Sequence, residues 1–75
     1  MSKKPAVHTV PHGDGWANRT EGASRAFGAA LTQAEAAKIG QDSARSRRTE
    51  WIGHRKDGTI GARRSYGNDP YPPKG

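Results

Sequence analysis

Apolar positions in this chain fall in short alternating runs broken by glycine and proline, with one longer helical stretch between them. Ala6-Val7-His8-Thr9-Val10 is β-prone and stops at Pro11, which has no N–H to give to a ladder. Gly13-Asp14-Gly15 supplies a tight turn and Trp16-Ala17-Asn18-Arg19-Thr20 reads as the returning strand. Residues 6–20 therefore predict a hairpin. The stretch from Glu21 to Ala30, rich in Gly, Ala and Ser, reads either as a loop over the sheet edge or as an extra strand around Arg25-Ala26-Phe27.

Thr32-Gln33-Ala34-Glu35 has the form of a capping box, in which the Thr32 hydroxyl accepts from the Glu35 amide. It predicts a helix over about 33–48. Ala36, Ala37, Gly40, Ser43 and Ala44 share one face at helical spacing, with Ile39 at the border. A face of small residues suits close approach to a sheet. Glu50-Trp51-Ile52-Gly53-His54 and Thr59 to Tyr66 then flank Arg55-Lys56-Asp57-Gly58, where Asp-Gly predicts a two-residue type I′ turn. The expected order is ββαββ. This is an α+β domain of two hairpins forming an antiparallel sheet, with the helix on one face and the other face open.

Residues 6–66 are expected to form this single small domain, after a flexible N-terminus at 1–5. The Pro-rich segment 67–75 reads as a disordered end, a docking segment for a partner's groove, or a strap across its own domain. The last is favoured over 65–71, with Tyr71 as an anchor.

Composition narrows the function. Of 75 residues, 31% are hydrophobic, but 11 of these are alanine, leaving 12 larger apolar or aromatic side chains. That is too little core to wall in a large pocket, which argues against an enzyme. No apolar run approaches the roughly 20 residues of a membrane-spanning helix, and no apolar stretch follows the basic start to make a secretory signal. The absence of cysteine excludes disulfides and thiolate metal sites and fits a cytoplasmic protein.

The net charge of +6 is unevenly placed. Between Arg45 and Arg64, seven cations (Arg45, Arg47, Arg48, Arg55, Lys56, Arg63, Arg64) face only Glu50 and Asp57, a net +5. Clustered basic excess is the electrostatic footprint of a polyanion binder, and Trp16 and Trp51 are candidates for base stacking beside it. Two structural readings compete. Arg45, Arg47 and Arg48 complement the dipole at a helix C-terminus, and so small a core has need of its tryptophans. Strand alternation places Arg63 and Arg64 on opposite faces, so only one joins a sheet-face patch.

Several segments together resemble a known family: His8-Thr9-Val10-Pro11, Gly15-Trp16-Ala17, Glu21-Gly22-Ala23, Thr32-Gln33-Ala34-Glu35-Ala36, His54, Asp57-Gly58 and Ser65-Tyr66-Gly67-Asn68-Asp69-Pro70 with Pro72-Pro73. Over nearly its whole length the chain resembles the bacterial and phage-borne domain-of-unknown-function family 2188. The resemblance implies a small ββαββ-type domain and no particular activity. Asn18 and Gly53 depart from it, standing where such sequences tend to carry apolar strand residues.

Candidate chemistry is sparse. His8 and His12 have a metal-ligand spacing only on a helix, which Pro11 forbids, and His54 joins them only if the two hairpins adjoin. Ser65, His54 and Asp57 share one hairpin, but Asp57 is accounted for by its turn. No catalytic residue, metal or cofactor is expected. The expected function is a basic, non-enzymatic module contacting nucleic acid or another polyanion with weak sequence preference. The alternative is a protein-interaction or inhibitor module, or a homo-oligomer, acting through the open face or a sheet edge.

Overall fold

A computed structural model describes residues 5–66. The chain runs β1 (Val7–His12), β2 (Gly15–Thr20), β3 (Ala26–Ala30), α1 (Gln33–Arg47), β4 (Glu50–His54) and β5 (Ile60–Ser65). The α+β class holds, but the order is βββαββ and the sheet is mixed. Its strands lie in the order β3-β2-β1-β4-β5, and β1 and β4 run parallel where two antiparallel hairpins were expected. The extra strand around Phe27 forms. Once it occupies one edge of the sheet, α1 carries the chain back across the face to set β4 beside β1.

The expected stop at Pro11 is also overturned, since β1 continues to His12 and Pro11 pairs with Trp16. On its other side β1 meets β4 only from Val7 to Thr9. The missing proline N–H therefore falls where no ladder bond is owed.

Helix α1 begins as expected, with the Thr32 hydroxyl accepting from Glu35 N at 3.2 Å. It ends in a Schellman pattern: Thr49 N donates to Ala44 O at 2.9 Å and Arg48 N to Arg45 O at 3.2 Å. The left-handed position belongs to Arg48, at φ 57° and ψ 54°, where glycine is the usual occupant.

The helix packs over β1, β2, β3 and β4 through Ala36, Gly40 and Ala44. Beneath it lies a buried polar chain. Trp51 Nε1 donates to Thr9 Oγ1 at 2.8 Å, Thr9 Oγ1 donates to Asn18 Oδ1, and Asn18 Nδ2 donates to Ala36 O at 2.9 Å. Asn18 and Thr9 are fully buried, and each polar atom in the chain has a partner. A Cβ on Gly40 would stand 2.8 Å from Thr9 Oγ1 and 2.9 Å from Trp51 Nε1, with Asn18 Oδ1 closer still. Gly40 is what lets α1 settle onto polar rather than apolar side chains.

Both departures from the family pattern find their reason here. Asn18 satisfies a helix carbonyl and the Thr9 hydroxyl instead of filling an apolar site. Gly53 leaves room for the Trp51 ring, which lies where a Cβ would stand 2.7 Å from its Cζ2. Gly28, at φ 60°, lies in the irregularity of β3 between the pairs Trp16–Ala30 and Asn18–Phe27, and it faces Ile39. Among the described residues, the larger apolar side chains that are buried are Val7, Trp51 and Ile52, whereas Leu31 is 81% exposed. Val7, Ala44 and Trp51 form the core, with Phe27, Ala37 and Tyr66 packed against it.

The second hairpin turns through three residues, not two. Arg55 N donates to Thr59 O at 2.7 Å and Gly58 N to Arg55 O at 2.8 Å, with Gly58 at φ 93°. This is the type I turn with a following left-handed glycine. Asp57 accepts from Thr59 N at 3.0 Å and Thr59 Oγ1 at 2.7 Å. Pro5, assigned above to a flexible N-terminus, is held by Thr49 Oγ1 donating to its carbonyl at 3.0 Å. The rest of that terminus and the strap or tail at 67–75, Tyr71 included, lie outside the described residues.

Two outcomes follow for stability. Gly40→Ala improves helix propensity by about 1 kcal/mol yet is expected to destabilise by roughly 1–3 kcal/mol, because backbone and buried polar groups must move. Lys38→Ala, exposed on the same helix, stays within about 0.5 kcal/mol. Urea unfolding of both variants checks this, and an unchanged Gly40→Ala midpoint would refute the close approach.

For Asp57, hydrogen bonds from the Thr59 amide and hydroxyl, with Arg55 nearby, hold the carboxyl below its usual value of 3.8. A lowered folded-state value adds stability that is present above 3.8 and lost as pH falls through the folded value. Asp57→Asn should therefore lower the thermal midpoint at neutral pH and shrink the loss seen on acidification below 3.8. Thermal unfolding across that range reads both.

Candidate polyanion interface

Helix and sheet distribute the seven candidate cations over three places. Arg45, Arg47 and Arg48 close α1, next to the start of β4. Arg64 pairs with Trp51, the second residue of β4, and so sits on the helix side of the same end. Two aromatic rings organise this end. The Arg45 guanidinium lies 5.9 Å from the Tyr66 ring centroid, and Arg47 lies 5.9 Å from that of Phe27. Arg47 Nη1 also donates to Thr20 Oγ1 at 3.2 Å. Asp42 approaches Arg45 at 3.9 Å, an exposed pair that contributes little.

Arg63 lies on the other face. Cross-strand pairing aligns Arg19, His8, Ile52 and Arg63 in one row over β2, β1, β4 and β5, on the face away from α1. Arg55 and Lys56 occupy the β4–β5 loop. That is the length of β4, roughly 16 Å, away from the helix C-terminus. The segment 45–64 is thus no single surface: it splits into a helix-end group, an open-face row and a distal loop. The row adds Arg19, which lies in the nearly neutral part of the chain. Its strand position opposite His8 becomes meaningful only once β1 and β2 are paired.

Among the described residues, no carboxylate stands in ion-pair range of Arg48, Lys56, Arg63 or Arg64, and all four are exposed. Helix α1 leaves β5 uncovered, so that strand is exposed along its whole length.

The tryptophans divide. Trp51 is 4% exposed and spends its N–H on Thr9, so it is core and its candidacy as a stacking platform is withdrawn. Trp16 is half-buried in an open depression with His12, Asp14, Gly15, Ala29, Ala30 and Leu31, at the end of the sheet away from the basic helix terminus. It does not adjoin the arginines there. The rings that do, Tyr66 and Phe27, carry no local signal in the sequence, since each lies about 20 positions from the arginine it meets and only the fold brings them together.

Ser65 pairs with Glu50 at the start of β4, and His54 lies at its end, so strand length separates Ser65 from His54 and Asp57. His12 lies four residues along β1 from His8. His54 reaches His8 after all, because β4 lies beside β1: His8 Nδ1 and His54 Nε2 are 2.8 Å apart. Among the described residues there is no group of three or more His, Cys, Asp or Glu arranged to hold a metal ion. No helix among them is long and apolar enough to cross a membrane.

No curated protein and no solved structure matches the chain. The family described as "Uncharacterized protein conserved in bacteria (DUF2188)" does, over residues 7–66, from the first residue of β1 to the Tyr66 ring beneath Arg45. With all five strands and the helix inside the match, the chain belongs to this bacterial family of domains of unknown function.

Proposed function

We propose that this domain is a non-enzymatic binding module that contacts nucleic acid or another polyanion, chiefly through the helix end formed by Arg45, Arg47, Arg48 and Arg64. The observation that carries this reading is Arg48. A non-glycine residue in the left-handed region costs about 1–3 kcal/mol, and the Schellman position it fills is one that glycine fills without strain. An exposed arginine with no carboxylate partner among the described residues, held at a strained position, is better suited to an external anion than to the fold. Phosphate contacts of this kind give little sequence preference and a steep salt dependence.

A protein-interaction module remains the second reading, favoured by β5, an exposed edge strand that the helix does not cover. Against self-association through that edge, the adjacent Arg63 and Arg64 place like charges along it. A cytoplasmic setting belongs with either reading.

The two roles of Arg48 separate experimentally. Arg48→Gly is expected to raise unfolding stability by about 1 kcal/mol while weakening binding to duplex DNA, single-stranded DNA or RNA. Replacing Arg45, Arg48 and Arg64 together by glutamine should lower the slope of log affinity against log salt by up to about three. Urea unfolding reads the stability change, and fluorescence anisotropy between roughly 50 and 200 mM salt reads both binding effects. If the unsubstituted protein binds none of the three polymers at the lower salt, the reading is lost.

A further inference from the structure

The open face of the sheet carries a histidine pair whose hydrogen bonds do not balance with two neutral rings. His8 Nε2 lies 2.9 Å from Glu21 Oε2, and His54 Nδ1 lies 3.0 Å from Gly58 O. The ionised Glu21 carboxylate and a backbone carbonyl are acceptors only, so each outer nitrogen must carry a proton. Neutral imidazoles have one proton each, and those two are now used. At the inner contact, His8 Nδ1 then faces His54 Nε2 lone pair to lone pair at 2.8 Å. A third proton converts that repulsion into an N–H···N hydrogen bond and satisfies the whole chain. A fourth would set N–H against N–H.

We propose that His8 and His54 share a single extra proton and so make the seam between β1 and β4 sensitive to pH. The shape of the contact supports a proton rather than a metal ion. The ring centroids are 5.1 Å apart and the nitrogens 2.8 Å, so the rings meet nearly end-on. Two Zn–N bonds of about 2.0–2.1 Å do not fit along that line. The neighbouring charges come from every element around the pair. Glu21, after β2, favours the added proton, and Glu50 lies on the same face of β4. Arg19 on β2 and Arg63 on β5 oppose it, and Arg55 and Asp57 flank His54 from the loop. Helix α1 covers the opposite face and contributes none.

The sign of the effect follows from counting protons. Unfolded histidines exchange theirs near pH 6.5. Well below that, the unfolded chain carries two extra protons on these rings and the folded chain one, so stability rises with pH. Well above, the unfolded chain carries none and the folded chain still one, so stability falls with pH. Stability passes through a maximum near about 6.5.

The test is ¹⁵N NMR of the imidazole nitrogens in the unsubstituted protein from about pH 5 to 8, with exposed His12 as internal reference. Three of the four nitrogens of His8 and His54 are expected to be protonated both just below and just above the pH of about 6.5 at which unfolded histidines exchange theirs. If both rings titrate as independent single steps alongside His12, the proposal is overturned. Thermal unfolding gives a second reading: the maximum near 6.5 should flatten in His54→Gln, and an unflattened maximum in that variant counts against the pair. Neither measurement involves a polyanion, so it stands apart from the binding assay.

Discussion

The close approach of Gly40 to the chain Trp51–Thr9–Asn18 is the constraint on which the rest of the fold depends. A domain with so few large apolar residues has little to gain from deep interdigitation of helix and sheet. It is held instead by a short separation between helix and sheet, with polar groups filling the interface. That arrangement works only if every polar atom is partnered, because an orphaned one in this interface costs about 1–3 kcal/mol. Thr9 is the pivot. Its single hydroxyl accepts from β4 and donates to β2, while Asn18 carries the chain into the backbone of α1. Three strands and the helix are thereby keyed to one another at a fixed register.

The same logic governs the parallel seam. β1 and β4 pair over only Val7 to Thr9, yet this is where the three-stranded meander meets the second hairpin. On the helix side Trp51 and Thr9 bridge it, and on the open side His8 and His54 do. A short parallel ladder is thus reinforced on both faces by side-chain hydrogen bonds, one permanent and one dependent on a proton. β5 hangs beyond this seam with no helix over it. Its cations remain exposed for the reason that makes it a weak part of the core.

What was legible in the sequence was local. Thr32 and Glu35 mark the helix start because capping is a three-residue relation, and Gly13 and Asp57-Gly58 mark turns because backbone geometry demands those residues. β3 was ambiguous since Ala26-Phe27-Gly28-Ala29-Ala30 has weak strand propensity and forms by pairing with β2. The parallel seam left no local trace at all, being a relation between Val7 and Trp51, 44 positions apart. Asn18 stands out in the sequence only as a departure from an apolar pattern, because its partners, Thr9 and Ala36 O, come from other elements. For the site, the basic cluster was visible as composition, but its division depends on strand alternation and on where α1 ends. The left-handed turn at Arg48 was not legible, because only about a third to a half of helices end in that way and nothing in the local pattern demands it.

The charge distribution acquires a different meaning from this geometry. A helix C-terminus bears about half a negative charge, so three arginines there begin by compensating the fold's own dipole. On that argument alone two would suffice, on the helical turn itself, and the third position would be glycine. Arg45 and Arg47 fit the structural role, each resting against a ring. Arg48 does not, since it stands just past the last helical residue at a backbone conformation that disfavours any side chain. The surplus of positive charge is therefore located less by counting cations along the chain than by asking which of them the fold would be more stable without. Among the described residues Arg48 is the one that the backbone identifies in this way, at the end of the sheet where Arg64 pairs with Trp51.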